Sequence, residues 1–291
     1  MRITIVGLGL IGGSLGMALK QARGSELEIV GYARNAGVAE RAKQLRAVDR
    51  TENTLAASVG GSDLVFICTP VRAVEEVLQG IASHTPTGCL ITDTASTKQQ
   101  VMAWARKYLC PELAFVGGHP MAGKESFGIE AADSSLFKGC AYCLTPADWT
   151  DAKYVEVAKN TVEWTGGKPF LMDARQHDYM VAGISHLPAL VSAAVVAATA
   201  GSADWPIMAG LASTGYRDTT RLASGNPKVL GDILSTNREA VLHWVDEFSR
   251  VLAELKAELA RGNGDLEDTL ARVRQARQQW LEGRANQQCS Q

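Results

Sequence analysis

Neither sign of charge is in excess. The 291 residues carry 29 Lys and Arg against 31 Asp and Glu, a formal net charge of -2, and the pI is near 6.2. Such a chain has no global basic field with which to hold nucleic acid or an anionic membrane, so an anionic ligand must be held by local groups. Cysteine offers no disulfide frame. Cys68, Cys89, Cys110, Cys140, Cys143 and Cys289 are scattered, several of them inside apolar runs, which predicts reduced thiols in a cytoplasmic protein and no metal site. The opening MRITIVGLG is strand-like at once and leaves no room for a charged n-region and a cleavage site, so no signal peptide is expected. Long apolar runs are missing too. The most apolar stretch, LPALVSAAVVAATA at 187–200, follows His186 and falls short of the roughly 20 residues that span a bilayer; it reads as a buried helix. There is no internal repeat.

What is present is ordinary globular material, 46% apolar and 21% charged, in a chain long enough for two domains. Up to about residue 145 one pattern recurs: a short β-branched run, a glycine or polar turn, then a segment of helical period. The runs RITIVG, LEIVGY, DLVFICT, CLITDT, LAFVGG and YCLT suit parallel strands buried on both faces. This predicts an α/β fold with a Rossmann-type, doubly wound, mostly parallel sheet. A helix over about 152–164 and a strand KPFLM lead out of it. From Asp173 onward the pattern is helical almost throughout. The division is therefore a dinucleotide-binding domain over 1–172 and an all-α substrate and dimerisation domain over 173–291.

In the helical part, a first helix over about 174–200 contains Pro188, which removes a backbone donor and should kink it. Asn226-Pro227 opens a long helix to about 260, and GNGD separates it from a last helix over about 265–283. Phe248, Val251, Leu252, Leu255 and Leu259 fall at helical spacing, as do Leu266, Leu270, Val273 and Trp280. Such stripes form either an internal core or the interface of a homodimer, and so much apolar helical surface in a small domain favours the dimer. The closing RANQQCSQ has the composition of a disordered tail.

The first turn carries Gly7-Leu8-Gly9-Leu10-Ile11-Gly12 between a strand and a helix. Glycines there let the backbone approach a pyrophosphate seated on the helix N-terminus, which makes Gly7, Gly9, Leu10, Ile11 and Gly12 the expected cofactor contacts. An NAD site would place an acid about 20 residues further on, at the end of the second strand. The chain instead reads Gly31-Tyr32-Ala33-Arg34-Asn35. Nothing acidic repels a 2'-phosphate and Arg34 is suited to pair with one, so NADP is expected over NAD. Thr69-Pro70 ends another strand at the edge where such cofactors lie.

Three further segments fall where ligands collect. Ser96, in Thr92-Asp93-Thr94-Ala95-Ser96-Thr97-Lys98, would cap the next helix or meet a ligand. FVGGHPMAG at 115–123 sets His119 behind Gly117-Gly118 and before Pro120, as though to bring the ring close to a nicotinamide. Gly215-Tyr216-Arg217-Asp218-Thr219-Thr220-Arg221 puts Arg217 and Arg221 on one face if the segment is helical. Each has a bland reading as cap, turn or solvated face, and their co-occurrence with a dinucleotide site favours the functional one.

With VGLGLIGGS, ICTP, TDTASTK, GGHPMAG, ISHLP and GYRDTTR in this order over nearly the whole chain, the sequence resembles the prephenate and arogenate dehydrogenases of tyrosine biosynthesis, and most of all their short cyanobacterial-type branch. The resemblance implies that His119 is catalytic and that Ser96 contacts the substrate's ring hydroxyl or that histidine. It further implies that His186 lines the substrate pocket and that Arg221 binds a substrate carboxylate. Arg217 stands where lysine is common and Tyr216 where phenylalanine is usual. The implied reaction takes a small anionic cyclohexadienyl acid, passes hydride to the nicotinamide and releases carbon dioxide as the ring aromatises. A histidine with the ordinary pKa of about 6.5 suits acceptance of the hydroxyl proton, with an acid limb expected near pH 6–7. Arogenate, giving tyrosine, is the expected substrate. Prephenate, giving 4-hydroxyphenylpyruvate, is the alternative, alone or in a dual-substrate enzyme. A hydroxyisobutyrate-type dehydrogenase would share the fold but use a lysine in its helical domain, and a non-catalytic NADP sensor would need neither the histidine nor the arginine segments.

Overall fold

The structure, a computed structural model, describes residues 1–124, 126–262 and 265–289, with side chains through residue 283. Contacts gather the chain into two compact units, Met1–Val241 and Leu242–Gln291. The first unit opens with β1 (Arg2–Val6), α1 (Leu10–Arg23), β2 (Glu28–Tyr32), α2 (Ala36–Gln44), β3 (Arg50–Thr51), α3 (Leu55–Val59), β4 (Leu64–Ile67) and α4 (Val71–Ile81). It continues with β5 (Leu90–Asp93), α5 (Gln99–Tyr108), β6 (Ala114–Pro120), β7 (Ala141–Pro146), α6 (Ala152–Trp164) and β8 (Lys168–Leu171). The eight strands form one sheet in the order β3-β2-β1-β4-β5-β6-β7-β8. Only the β6–β7 pair runs antiparallel; β7 and β8 are parallel to each other.

The β-branched runs form strands because helices cover both faces of the sheet. Side chains alternate across a strand: Leu64 and Phe66 of β4 enter the core with Ile3, Ile5, Leu15 and Leu19, while Val65 and Ile67 enter the opposite core with Val74, Leu78, Val101 and Phe115. Every residue of β4, β5 and β6 is buried. The two-residue β3 carries no periodic signal and escaped the sequence reading. Cys68, Cys89, Cys110, Cys140 and Cys143 are free thiols.

Beyond the sheet, α7 (Ala174–Val181) passes through a π-helical turn (Ala182–His186) into α8 (Leu187–Ala200), one continuous helical run. The sequence predicts a kink at Pro188. The chain answers instead with the π turn just before it, which re-spaces the carbonyls that a proline ring would strike and that its missing N–H leaves unmatched. The run of 27 residues, Ala174–Ala200, is also longer than the apolar stretch alone, and is long and apolar enough to cross a membrane by length and composition only, a test that the core helix of a soluble protein also passes. Nor is α8 a buried helix, because Ser192 alone among its residues is fully buried within the chain.

Next come α9 (Trp205–Leu211), α10 (Thr214–Thr220), a 3-10 turn (Arg221–Ser224), α11 (Pro227–Thr236) and α12 (Arg238–Arg261). The long helix expected from Pro227 is therefore broken at Asn237, whose φ of -125° and ψ of 36° leave the helical region. Asn237 has another use there, described below.

The second unit consists of the remainder of α12 and of α13 (Asp265–Cys289). Near the turn between them Thr269 Oγ1 donates to Glu258 Oε1 at 3.2 Å. Helix continues through the 284–289 stretch that composition assigns to a disordered tail, and Ser290 and Gln291 lie outside the described residues. The apolar stripes are not an internal core: Phe248, Val251, Leu252, Leu259, Leu270, Val273 and Trp280 are all exposed in the single chain.

Candidate active site

The cofactor cleft lies beyond the C-terminal ends of β1, β2 and β4, where the strand order reverses between β1 and β4. It is a cavity of about 370 Å³ whose lining includes Gly7, Gly9, Arg34, Thr69, Pro70 and Glu76. Four of the expected contacts, Gly7, Gly9, Thr69 and Pro70, meet there with Arg34, while Leu10, Ile11 and Gly12 belong to the first turn of α1. The glycines have distinct reasons. Gly7 has φ of +99°, and a Cβ on it would stand 2.7 Å from the Cys68 carbonyl oxygen. A Cβ on Gly12 would stand 2.0 Å from the Gly7 carbonyl oxygen, whereas one on Gly9 would meet open space on the ligand side.

The helix termini fit a dinucleotide as well. Asn35, Thr54 and Asp151 cap α2, α3 and α6 through their side chains, but α1 and α4 begin at Gly9 and Pro70 without a side-chain cap. Their first amides are left for a ligand, and the N-terminal partial charge favours phosphate. The Thr69 hydroxyl is buried without a partner. Burial also pushes the Cys68 thiol up to about 12, which excludes thiolate chemistry beside the cleft.

One edge further along, β5 and β6 carry the reacting-site candidates. Asp93 at the end of β5 accepts from the amides of Ala95 (2.8 Å) and Gly118 (3.1 Å). Lys98, with no exposed surface, pairs with Asp93 and donates to the Gly118 carbonyl at 2.6 Å. The Gly117-Gly118 pair has a packing role at this point. A Cβ on Gly118 would lie 2.4 Å from the Asp93 carbonyl oxygen, so glycine is needed for β6 to close on β5. This clamp delivers His119, 8% exposed, at the end of β6.

Two buried groups from α7 complete the surroundings. His119 Nδ1 stands 2.9 Å from His177 Nε2, and His177 Nδ1 stands 2.8 Å from Asp178 Oδ1. Asp178 also accepts from the amides of Lys98 (2.7 Å) and Gln99 (2.9 Å). It is this carboxylate that holds the N-terminus of α5. Ser96 is not the cap, since the helix begins at Gln99; Ser96 lies half-buried in the same β5–α5 connection. Asn237 Nδ2 donates to the Asp178 carbonyl at 2.7 Å and lies 3.2 Å from His186 Nδ1. The amide nitrogen only donates, so His186 Nδ1 accepts and its proton sits on Nε2, which is buried with no partner. A buried donor left open is a place for a ligand oxygen.

Both histidines are held neutral. Desolvation, with His177, Lys98 and His186 adding to it, pulls His119 well below the usual imidazole pKa, and desolvation takes His186 down to about 4. The acid limb near pH 6–7 expected from an unshifted ring is corrected by this burial.

The two arginines fall in adjoining elements, Arg217 in α10 and Arg221 at the start of the 3-10 turn that follows it. Arg217 is exposed and pairs with Asp218 at 3.0 Å. The Arg221 turn packs on α8, where Ala223 N donates to Ser192 Oγ at 3.0 Å. Sequence reasoning missed His177, Asp178, Asn237 and Lys98. Of these, only the adjacent His177-Asp178 pair opening a helix after the sheet ends offered a local signal, because the others act through contacts distant in sequence.

Known proteins place the whole arrangement. Residues 15–171 match the family model described as prephenate dehydrogenase, nucleotide-binding domain, and residues 173–275 that described as prephenate dehydrogenase, dimerization domain. Prephenate dehydrogenase of Bacillus subtilis is 36% identical over 256 residues, 87% of this chain and 69% of that protein. The crystal structure of Synechocystis arogenate dehydrogenase, 32% identical, superposes with a TM-score of 0.83 over 96% of this chain and 100% of its own. That of Aquifex aeolicus prephenate dehydrogenase in complex with hydroxyphenyl propionate and NAD+, 28% identical, reaches 0.89 over 96% and 98%. A glycine turn opening on a dinucleotide cleft, a buried neutral histidine on β6, two strands beyond β4, and family models spanning both halves lead to one assignment: the chain belongs to the prephenate dehydrogenase family.

Proposed function

We propose that this enzyme oxidatively decarboxylates L-arogenate to L-tyrosine with NADP+ as hydride acceptor. The observation that carries the reaction type is the buried, neutral His119 at the sheet edge that also bears the cofactor cleft, with the open donor of His186 near enough to act on its charge. The nicotinamide, when bound, supplies the electrophilic carbon that takes the hydride. His119 accepts the proton of the ring hydroxyl, whose electron pair becomes the carbonyl that aromatisation converts to phenol. His186 Nε2–H orients a substrate oxygen. Ser96 assists at the hydroxyl, and Arg221, with Arg217 beside it in sequence, is assigned to the carboxylates on the family resemblance.

Arogenate is favoured by the likeness to the Synechocystis enzyme, and prephenate is the second reading because the Bacillus subtilis relative bears that name. For the cofactor, β2 ends in Tyr32-Ala33-Arg34-Asn35 with no acid, and the cleft's lining carboxylate, Glu76, comes from α4. A homodimer through the helical region, with a nucleotide-binding half over 1–172 and a cytoplasmic location, completes the proposal. Rates with both acids and both cofactors test it. Arg34→Ala should weaken NADP+ and barely affect NAD+, because only the former carries the phosphate that a guanidinium grips. A wild type with higher kcat/KM for NAD+ or for prephenate would reverse the corresponding choice.

A further inference from the structure

We propose that His177 is a positioning residue that fixes the tautomer of His119, placing its proton on Nδ1 and leaving the Nε2 lone pair as the base. The inference rests on His119 being the proton acceptor and adds which atom accepts and what enforces it. The chain of contacts is Asp178 Oδ1 to His177 Nδ1 at 2.8 Å, then His177 Nε2 to His119 Nδ1 at 2.9 Å.

Direction follows from the fixed end. Asp178 faces donors on both oxygens, the amides of Lys98 and Gln99 at the start of α5, and a carboxylate so placed only accepts. His177 therefore carries its proton on Nδ1. A ring that carries this one proton has its lone pair on Nε2, and His119 Nδ1 then donates to it. The remaining nitrogen of His119, Nε2, is the acceptor. His186 has the opposite polarity, its Nδ1 facing the Asn237 amide and its Nε2–H open. The two rings thus offer one acceptor and one donor, as an alcohol and an anionic or carbonyl oxygen of one substrate would require.

The relay also answers an electrostatic difficulty. The groups around His119 are Lys98 and Asp93 beneath Gly118, His177 and Asp178 on α7, and His186 at the π turn. Burial, Lys98 and a second histidine all oppose a positive ring there. When the substrate O–H bond breaks and the proton bonds to Nε2, the electron pair stays on oxygen and the new imidazolium donates more strongly through Nδ1. The Asp178 carboxylate at the far end of the chain compensates its charge. As the carboxylate leaves as carbon dioxide and its bonding pair enters the ring, the phenolic oxygen takes the proton back from Nε2 and the imidazole is neutral again.

The test begins with nitrogen NMR of the histidine-labelled, ligand-free full chain above pH 7, which should show His119 protonated at Nδ1 and bare at Nε2. A proton on Nε2 would overturn the proposal whatever the activity. Kinetics then compare two variants. His177→Leu should lose about 10²-fold in kcat, part of the 10² to 10⁴ that a positioned base is worth. Its acid limb should move while the dissociation constants of NADP+ and NAD+ stay put, because the ring facing His119 Nδ1 sets how readily the imidazolium forms. His177→Gln, whose carbonyl can accept from Nδ1 while its amide donates to Asp178, should keep the Nδ1–H form and recover most of kcat. Wild-type kcat and an unmoved limb in the leucine variant would sink the assignment. If that variant does not fold, the wild-type tautomer and the glutamine variant still decide. Should His119→Asn keep kcat while the Nδ1–H form is seen, the relay would stand and the reading of His119 as base would fall.

Discussion

His119→Asn removes the ring but keeps a small polar side chain at the end of β6. It should bind cofactor with unchanged affinity and lose roughly 10² to 10⁴ in kcat, measured by cofactor titration and steady-state rates. In the wild type, burial depresses the His119 pKa, so the deprotonated, active form persists as pH falls below the ordinary 6.5. The acid limb should therefore lie below pH 6.5 and be absent from the residual activity of the variant. Its neighbour Lys98 poses a separate question, because it and Asp93 are fully buried. Lys98→Met leaves Asp93 charged and unpaired inside the sheet edge, at a cost of about 3 to 5 kcal/mol, whereas the double replacement Lys98→Met with Asp93→Leu should cost less than their sum. Urea unfolding of the three variants measures both. His119 and the glycine turn were singled out because local punctuation marks them, and His186 through the family resemblance. Lys98 and Asn237 were not, since a lysine after a strand and an asparagine inside a helical pattern acquire meaning only from groups 20 and 59 residues away.

The strands and helices of the sheet half were readable at the level of elements because short β-branched runs closed by glycine or polar turns mark them; α6, expected over about 152–164, spans Ala152–Trp164. The helical half was less so. Hydrophobic period does not distinguish an α turn from a π turn, nor does it see the break at Asn237, which the bonds to Asp178 and His186 stabilise. Pro188 gives a way to probe this. With alanine there, the N–H returns and the ring no longer strikes the preceding turn, so α7 and α8 should fuse into one regular α-helix. Rewinding one π turn rotates His186 away from Asn237. Pro188→Ala should therefore lower kcat/KM while the urea midpoint holds or rises, a trade of activity against regularity. Unchanged kcat/KM would mean that the π turn does not set the position of His186.

The molecule taken whole exposes too much apolar helical surface for a lone chain. In the second unit Leu252 and Leu259 are 54% and 67% exposed, and in the first Ile184, Ile207 and Leu211 are exposed as well. Patches of this kind mark association surfaces, and the proposed homodimer would cover them. Leu252→Glu with Leu259→Glu should shift sedimentation from dimer to monomer, because each charge would be buried unpaired in the interface. A wild type that sediments as a monomer would remove the dimer altogether.

The Asp178 carboxylate is at once the N-terminal clasp of α5 and the far end of the line of imidazoles. Cofactor recognition and chemistry are consequently separable in one direction only. A chain ending at residue 172 would retain the glycine turn and every residue that lines the dinucleotide cleft, yet the first amides of α5 would lose their acceptor and His119 its companion ring. Such a fragment should still bind a nucleotide and show no hydride transfer. The reverse fragment would have neither the sheet nor His119, and its His177 would be a companion ring with nothing to meet until the two are joined.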